Sequence, residues 1–354
     1  MGGLVLFGIF LEFFSWRLMF LSFLPLGIIA VIAAIPLLRQ KEHSRPTTTA
    51  PVDIIGGILM VAVAFVLIMS SNHLHGGEES FTSSKGLSYH IPMQILFLVL
   101  VVVFILVERY IKHPLVEMRH FREKYFSLAL TSNFAFHFSM LATTTLIPIL
   151  VENGYGMSPL WVPVILLPNQ LLGFSMPLLA GWVYDKYRPK YLRPAAMATI
   201  ALGFLMLGLS VGHVPFFALP FLMLPISIGS SVFNPINNAT VMSALPLEHR
   251  GVASGMLETT RELGHAIGAT VSATALAIVL PVGISALSGS EAQRFYIDGF
   301  RFSSLMVVIT LLIGAFITYF HKEIAETAKT ITSGSSSSSQ AQPTLQSEST
   351  DGDD

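Results

Sequence analysis

SLALTSNFAFHFSMLATTTLIPIL, residues 127–150, has no charged side chain in 24 consecutive positions. As an α-helix, this stretch would extend about 36 Å at about 1.5 Å per residue, which is enough to cross a hydrocarbon core about 30 Å thick. The strands of an outer-membrane barrel alternate apolar and polar residues, and this stretch does not alternate. It therefore predicts a transmembrane helix.

Eight further apolar runs of about 20 residues or more lie on either side of it, separated mostly by short stretches with proline, glycine or charge. The nine predicted spans are 18–38, 53–71, 91–109, 127–150, 160–183, 194–212, 216–242, 252–280 and 302–320. The composition agrees, since 53% of the residues are hydrophobic and 12% are charged, against about 25% charged in soluble domains. We therefore predict an all-α polytopic membrane protein.

The two ends of the chain differ from these spans. Residues 1–14 are apolar but would extend only about 20 Å as a helix, and they lack the basic n-region of a signal peptide. We predict the second half of a helix whose first half is not in this chain. From about residue 323 the sequence becomes polar and rich in serine, which predicts a disordered tail over 323–354.

The orientation follows from the lysine and arginine residues, which concentrate in cytoplasmic loops. If the loop after the first complete span is cytoplasmic, the outer segments hold only four of the 20, namely Arg17, Lys85, Arg294 and Arg301. The other sixteen are then inside: Arg39, Lys41, Arg45, Arg109, Lys112, Arg119, Arg122, Lys124, Lys186, Arg188, Lys190, Arg193, Arg250, Arg261, Lys322 and Lys329. This asymmetry predicts a multi-pass plasma-membrane protein with a cytoplasmic C-terminus.

Several function classes receive no support from the sequence. A net charge of -1 gives no basic surface for nucleic acid, and the absence of cysteine excludes thiol nucleophiles, disulfides and cysteine-ligated metals. The chain has no P-loop, no G-x-S-x-G elbow and no H-E-x-x-H motif. We expect no enzymatic activity, no bound cofactor and no metal site.

Polar residues within the spans are the first candidates for function, because such groups are costly in a membrane. Asn234, Asn237 and Asn238 lie beside Pro235 in the span 216–242. These amides either line a polar translocation path or satisfy the backbone at a kink and bond a neighbouring helix. In the span 127–150, Asn133 and His137 leave a similar choice, since a histidine can carry protons or act as a hydrogen-bonded packing residue.

The span 252–280 carries Glu258, Arg261, Glu262 and His265, which are spaced as neighbours on one helix surface. They form either an interfacial ion-pair cluster or a coupling and gating site. The same helix has Gly251 and Gly255, then Gly264 and Gly268, two small-residue pairs that predict close approach to another helix.

Several motifs resemble one family, the fourteen-helix drug:proton antiporters of the major facilitator superfamily (the EmrB/QacA type). The most specific are PINNA at 235–239, RGVASG at 250–255 and RELGHAIG at 261–268. SWRLMF at 15–20, followed by PLG at 25–27, is similar to the family's entry into its sixth helix. PLLAGWVYDK at 177–186 is similar to the basic loop of the C-terminal half, although Arg188 stands where that loop usually has glycine.

The resemblance covers residues 3–320 and implies the C-terminal part of a major facilitator fold, truncated at its N-terminus. The nine spans would then be helices six to fourteen, preceded by a half helix. The implied divisions are 1–38, the end of helix five and helix six; 39–126, two central linker helices; 127–322, a six-helix transporter half; and 323–354, the tail.

The resemblance also implies proton-coupled export of amphipathic drugs, with the proton gradient as energy source. Expected partners are membrane lipid, protons, the small amphipathic substrate and a separate N-terminal half. Alternatives are a facilitator for another solute, such as an organic anion, and a non-transporting half that needs a partner. Substrate-path candidates are Asn133, His137, Asn169, Gln170, Asn234, Asn237 and Asn238. Gating candidates are Gly181, Asp185, Lys186, Arg188, Arg250, Glu258 and Arg261.

Overall fold

The computed structural model describes residues 16–39, 53–71, 84–112, 114, 118–187, 189, 191–246, 249–280, 287 and 289–338. Over these residues the chain forms nine long helices and no strand. They are α1 Trp16–Arg39, α2 Ile54–Ser71, α3 Ser84–Tyr110, α4 Lys124–Ile149, α5 Trp161–Tyr187, α6 Leu192–Ser210, α7 Leu224–Ser243, α8 Arg250–Val279 and α9 Gly289–Ser338.

The predicted all-α polytopic class is confirmed. Seven helices of the described residues are long and apolar enough to cross a membrane: Ser84–Tyr110, Lys124–Gly154, Trp161–Tyr187, Leu192–Ser210, Phe216–Ser243, Arg250–Val279 and Gly289–Phe320. The first two predicted spans coincide with α1 and α2, whose apolar stretches, Phe23–Ile35 and Ile54–Leu67, are shorter. The predicted half helix at 1–14 lies outside the described residues.

Prolines shape the short segment that precedes α7 at its predicted outer end. The span predicted at 216–242 consists of a 3-10 turn Phe216–Ala218, a single helical turn Leu219–Leu222 and then α7. Pro220 and Pro225 each lie at the first or second helical position, where a missing N–H costs no hydrogen bond. Pro235, by contrast, lies inside α7, which continues past it to Ser243.

The last helix is longer than its predicted span. That span was predicted at 302–320, and α9 continues as a helix to Ser338, into the stretch 323–354 for which disorder was expected. Residues 322–329, KEIAETAK, are mostly good helix formers, and a helix that extends an existing span needs no new nucleation. Residues 339–354 lie outside the described part of the chain.

Helices α4 to α9 pack together as one bundle around α4, which contacts α7, α8 and α9. The core contains the fully buried side chains of Leu146 on α4, Phe204 on α6, Phe233 on α7 and Phe300 on α9. Helices α2 and α3 pack mainly against each other, and α2 makes a smaller contact with α8.

Glycines set the direction and spacing of α4 and α8. A Cβ atom on Gly264 would lie 2.7 Å from the carbonyl oxygen of Phe134, and one on Gly268 would collide with Phe138. The contacts move in the same direction along both helices, so α4 and α8 are parallel. Helices that alternate in direction are parallel when they are four crossings apart, so this finding agrees with the predicted topology. The packing prediction does not hold for the other pair, because a Cβ on Gly251 or Gly255 would meet no described atom within 4 Å.

Candidate functional site

Two buried asparagines join α4 to α7. The Asn237 amide nitrogen donates to Asn133 Oδ1 at 3.3 Å, and the Ser132 hydroxyl donates to Asn237 Oδ1 at 3.2 Å. All three side chains are fully buried. Because buried amides must find partners in a low-dielectric interior, this arrangement fixes the rotation of α7 against α4.

Arg193 extends this contact to α6. Its Nη2 donates to Asn237 Oδ1 at 2.7 Å and approaches Ser132 Oγ at 3.3 Å. Arg193 is in the first turn of α6, and the charge pattern had placed it among the loop residues on the cytoplasmic side. Its guanidinium instead enters the bundle, where a charge-assisted hydrogen bond is stronger than a neutral one.

Asn133 carries the same network to α8. Its amide nitrogen donates to the Leu257 carbonyl and to Thr260 Oγ1, each at 3.0 Å. These contacts form a polar network that connects four helices. The network consists of Ser132, Asn133, Arg193, Asn237 and Thr260. Its geometry favours the interpretation in which Asn133 and Asn237 bond neighbouring helices.

The remaining amide candidates are placed differently. Asn234 and Asn238 are half-buried, and no hydrogen bond within the described residues engages their side chains. Asn169 and Gln170 are half-buried on α5, and the Ser230 hydroxyl of α7 donates to Asn169 Oδ1 at 3.4 Å. The side chains of these four amides are therefore partly accessible, as contact with a substrate requires.

His137 has a partner that the sequence did not indicate. His137 Nδ1 lies 3.1 Å from His265 Nε2, across the interface of α4 and α8. His265 Nδ1 in turn lies 3.6 Å from Glu262 Oε1. Because the two histidines are 128 positions apart, no local pattern could join them.

The charged side chains of α8 form a connected group on its open side. Arg261 bonds Glu258, and its Nε lies 3.5 Å from Glu262 Oε1. The three side chains are 41 to 62% exposed. Glu262 lies twelve residues, about 18 Å, along a helix about 45 Å long. The group therefore lies in the first half of α8, eight to twelve residues from its start.

The gating candidates do not form one cluster among the described residues. Asp185 and Lys186 are exposed at the end of α5, where Lys186 Nζ lies 4.8 Å from the centre of the Trp182 ring. A Cβ on Gly181 would meet no described atom within 4 Å. Arg250 is exposed at the start of α8. Arg188 lies outside the described residues.

The sequence interpretation missed Arg193 and His265 as site residues. Arg193 offered only an ambiguous signal, because a basic residue at the end of a span usually belongs to the loop. His265 was assigned to the charged group of α8 and not to a contact with α4. Within the described part of the chain, no group of three histidine or acidic residues could hold a metal ion.

Comparison with known proteins gives a consistent result. Residues 1–269 match the Major Facilitator Superfamily. The chain is 24% identical over 268 residues to the riboflavin transporter RibZ of Clostridioides difficile, which covers 76% of this chain and 56% of RibZ. It is 20% identical over 272 residues to the multidrug efflux pump LfrA of Mycolicibacterium smegmatis, covering 77% and 52%.

A third relative is the putative multidrug resistance protein MdtD of Citrobacter koseri, 26% identical over 302 residues, which covers 83% of this chain and 60% of MdtD. The chain spans about half to three-fifths of the length of these curated relatives.

Proposed function

Because this chain belongs to the major facilitator superfamily of membrane transporters, we propose that it takes part in the proton-coupled export of small amphipathic compounds. Facilitators work by rocking two halves around a site near the bilayer midplane. In this proposal α4 to α9 form one half, and the other half is supplied by further helices, in the same protein or in a separate partner.

The charged group of α8 carries the proposal. A charged side chain at the centre of a bilayer costs roughly 2.5–3.5 kcal/mol or more, so such residues face a water-filled cavity or the interior of a protein. Glu258, Arg261 and Glu262 lie within a spanning helix and are largely exposed on it. An aqueous route along this side of α8 accounts for both observations.

The surface of α5 suits an amphipathic substrate. Phe174 and Leu178 are about three-quarters exposed, and Asn169 and Gln170 are half-buried on the same helix. Ligand sites are mostly apolar surfaces with a few well-placed polar groups. The names of LfrA and MdtD, a multidrug efflux pump and a putative multidrug resistance protein, support this substrate class.

The proposal includes a location and a set of conformational contacts. The protein lies in the plasma membrane with its C-terminus in the cytoplasm, as the distribution of lysine and arginine predicts. Asp185, Lys186 and Arg188 stabilise one conformational state at the cytoplasmic end of α5, and Arg250 and Arg261 lie on the helix that lines the cytoplasmic gate.

A second candidate function is transport of another solute. The similarity to RibZ, a riboflavin transporter, favours it. A flavin or another organic anion would need hydrogen-bond partners, which the amides of α5 and α7 offer.

Efflux from cells tests the proposal. The complete natural gene product that contains this chain is expressed in a strain without efflux pumps, and the accumulation of a cationic dye is measured with and without a proton uncoupler. We expect low dye content that rises when the uncoupler is added. Glu262→Gln should weaken efflux, whereas Glu152→Gln, an exposed acid in the outer π-helical turn Leu150–Gly154, should not. Unchanged dye content together with riboflavin transport would replace this proposal with the second candidate.

A further inference from the structure

We propose that His137 and His265 together form a proton-binding site between α4 and α8, and that Glu262 delivers the proton to it. The inference rests on the proposed function, since it identifies the site of the coupling ion within this chain. It follows from the contact between the two imidazoles, which neither the family match nor the relatives assign.

The position of the pair suits a site that both sides of the membrane must reach in turn. His137 lies thirteen residues, about 20 Å, from the start of α4, and His265 lies fifteen residues, about 22 Å, from the start of α8. Both are near the middle of a spanning helix. Gly264 allows this meeting, because a Cβ there would already be 3.1 Å from His137 Cβ.

Few other ionisable groups surround the pair. On α8 the neighbours are Glu258, Arg261 and Glu262, and on α4 no other ionisable residue lies between Tyr125 and Ile149. Helices α7 and α2, which also pack against α8, carry no ionisable side chain. Helix α9 carries none between Arg301 and Tyr319. Among the described residues of these five helices, a proton that reaches this depth therefore has only the pair and the charged group of α8 as acceptors.

The contact can hold one added proton. A hydrogen bond between two imidazole nitrogens needs one N–H and one bare nitrogen. In the unloaded site we assign the bridging hydrogen to His265 Nε2, which donates to His137 Nδ1, so His265 Nδ1 is bare and faces Glu262. His137 then carries its other hydrogen on Nε2.

Loading moves one proton along this line. The Glu262 carboxyl gives its proton to His265 Nδ1, and the bridging hydrogen passes from His265 Nε2 to His137 Nδ1. His137 becomes an imidazolium, His265 stays neutral, and Glu262 becomes a carboxylate. The bridging hydrogen bond survives with its direction reversed. Glu262 Oε1 lies 3.6 Å from His265 Nδ1, and its side chain is 62% exposed, so it can turn between water and the histidine.

The charged group then balances the loaded site. Arg261 contacts both Glu258 and Glu262, so it keeps a carboxylate partner when Glu262 is neutral. After loading, the His137 imidazolium on α4 and the Glu262 carboxylate on α8 lie on either side of the neutral His265 ring. Loading therefore adds one positive charge to α4 next to a helix that faces the proposed route.

Nitrogen-15 NMR of the imidazoles in the full chain, held in lipid nanodiscs, tests this inference over roughly pH 5 to 8, the range in which histidine changes charge. We expect one pair of signals to take up a single proton jointly. His137→Gln should remove one signal and alter the titration of the other, and His265→Gln should do the reverse. His213→Gln, at an exposed histidine in the loop after α6, should alter neither.

Glu262→Gln provides a second variant on an exposed position, which leaves the interface of α4 and α8 intact. We expect slower proton exchange at both histidines, because the donor is lost. Independent titration of the two histidines, no proton uptake by either, or exchange that Glu262→Gln leaves unchanged would overturn the inference.

The NMR measurement needs no transported compound, so its outcome separates from that of the efflux experiment. Proton uptake by the pair without dye efflux would contradict only the proposed function. Dye efflux with a pair that takes up no proton would contradict only this inference.

Discussion

At the scale of single residues, Asn237 connects three other polar side chains of the bundle. Its carbonyl oxygen accepts from Arg193 and Ser132, and its amide nitrogen donates to Asn133. Interhelical hydrogen bonds in membrane proteins are individually modest, about 0.6 kcal/mol on average. Removing a shared partner costs more, because the groups left behind are buried and lose their bonds together.

We expect Asn237→Ala to lower the free energy of unfolding by about 1 to 2 kcal/mol, because it leaves the Arg193 guanidinium and the Asn133 carbonyl without this partner. Thermal unfolding of the purified full chain in detergent measures the effect. Asn238→Ala is the matched control, since no hydrogen bond of the described residues engages that side chain, and it should change stability by less than about 0.5 kcal/mol. Equal effects of the two variants would contradict the role of the network.

At the scale of helices, the contact of α4 with α8 brings the two histidines together. Gly264 and Gly268 face the backbone of α4 at Phe134 and Phe138. Without side chains at these positions the two backbones approach closely, and dispersion contacts replace the hydrophobic driving force that is missing between helices in lipid.

We expect Gly268→Ala to destabilise the chain by roughly 1–3 kcal/mol, because the new methyl group overlaps the Phe138 backbone and forces α4 and α8 apart. Gly255→Ala, on the same helix, adds its methyl to open space and should stabilise by up to about 1 kcal/mol through helix propensity. Opposite signs of the change in melting temperature are the expected result. A similar loss of stability in both variants would contradict this prediction, because it would mean that the first turns of α8 are also closely packed.

At the scale of the whole molecule, the helices of the bundle alternate in direction. The parallel register of α4 and α8 agrees with this alternation, and so does the antiparallel contact of α8 with α9, where Ser303 donates to the Ser272 carbonyl and Gly299 lies against Leu276. The charge distribution predicts which end of this alternating bundle faces the cytoplasm.

Cysteine labelling tests the proposed orientation, because the chain has no cysteine of its own. His213 and Tyr191 are exposed residues at opposite ends of α6. In intact cells a membrane-impermeant maleimide should label His213→Cys and not Tyr191→Cys, and it should label both after permeabilisation. The reverse pattern would place the C-terminus outside.

Much of the fold could be predicted because the bilayer imposes simple requirements. A spanning segment must satisfy its backbone internally and be long enough to cross, so composition and length locate it. The ends of the helices were harder to predict, because they depend on local chemistry, as at Pro220 and Pro225. The end of the last helix is a further example, since α9 continues to Ser338, beyond the apolar run that predicted its span.

The sequence by itself determined an all-α membrane protein, the places of its apolar helices and the polar residues within them, because hydropathy and charge act along the chain. Only the tertiary structure decided that His137 meets His265 and that Arg193 enters the bundle to bond Asn237. Lipid and protein interior are both apolar, so a spanning helix does not show in its sequence which side faces a neighbour. Contacts between residues 44 and 128 positions apart depend on that choice, and the packing of whole helices makes it.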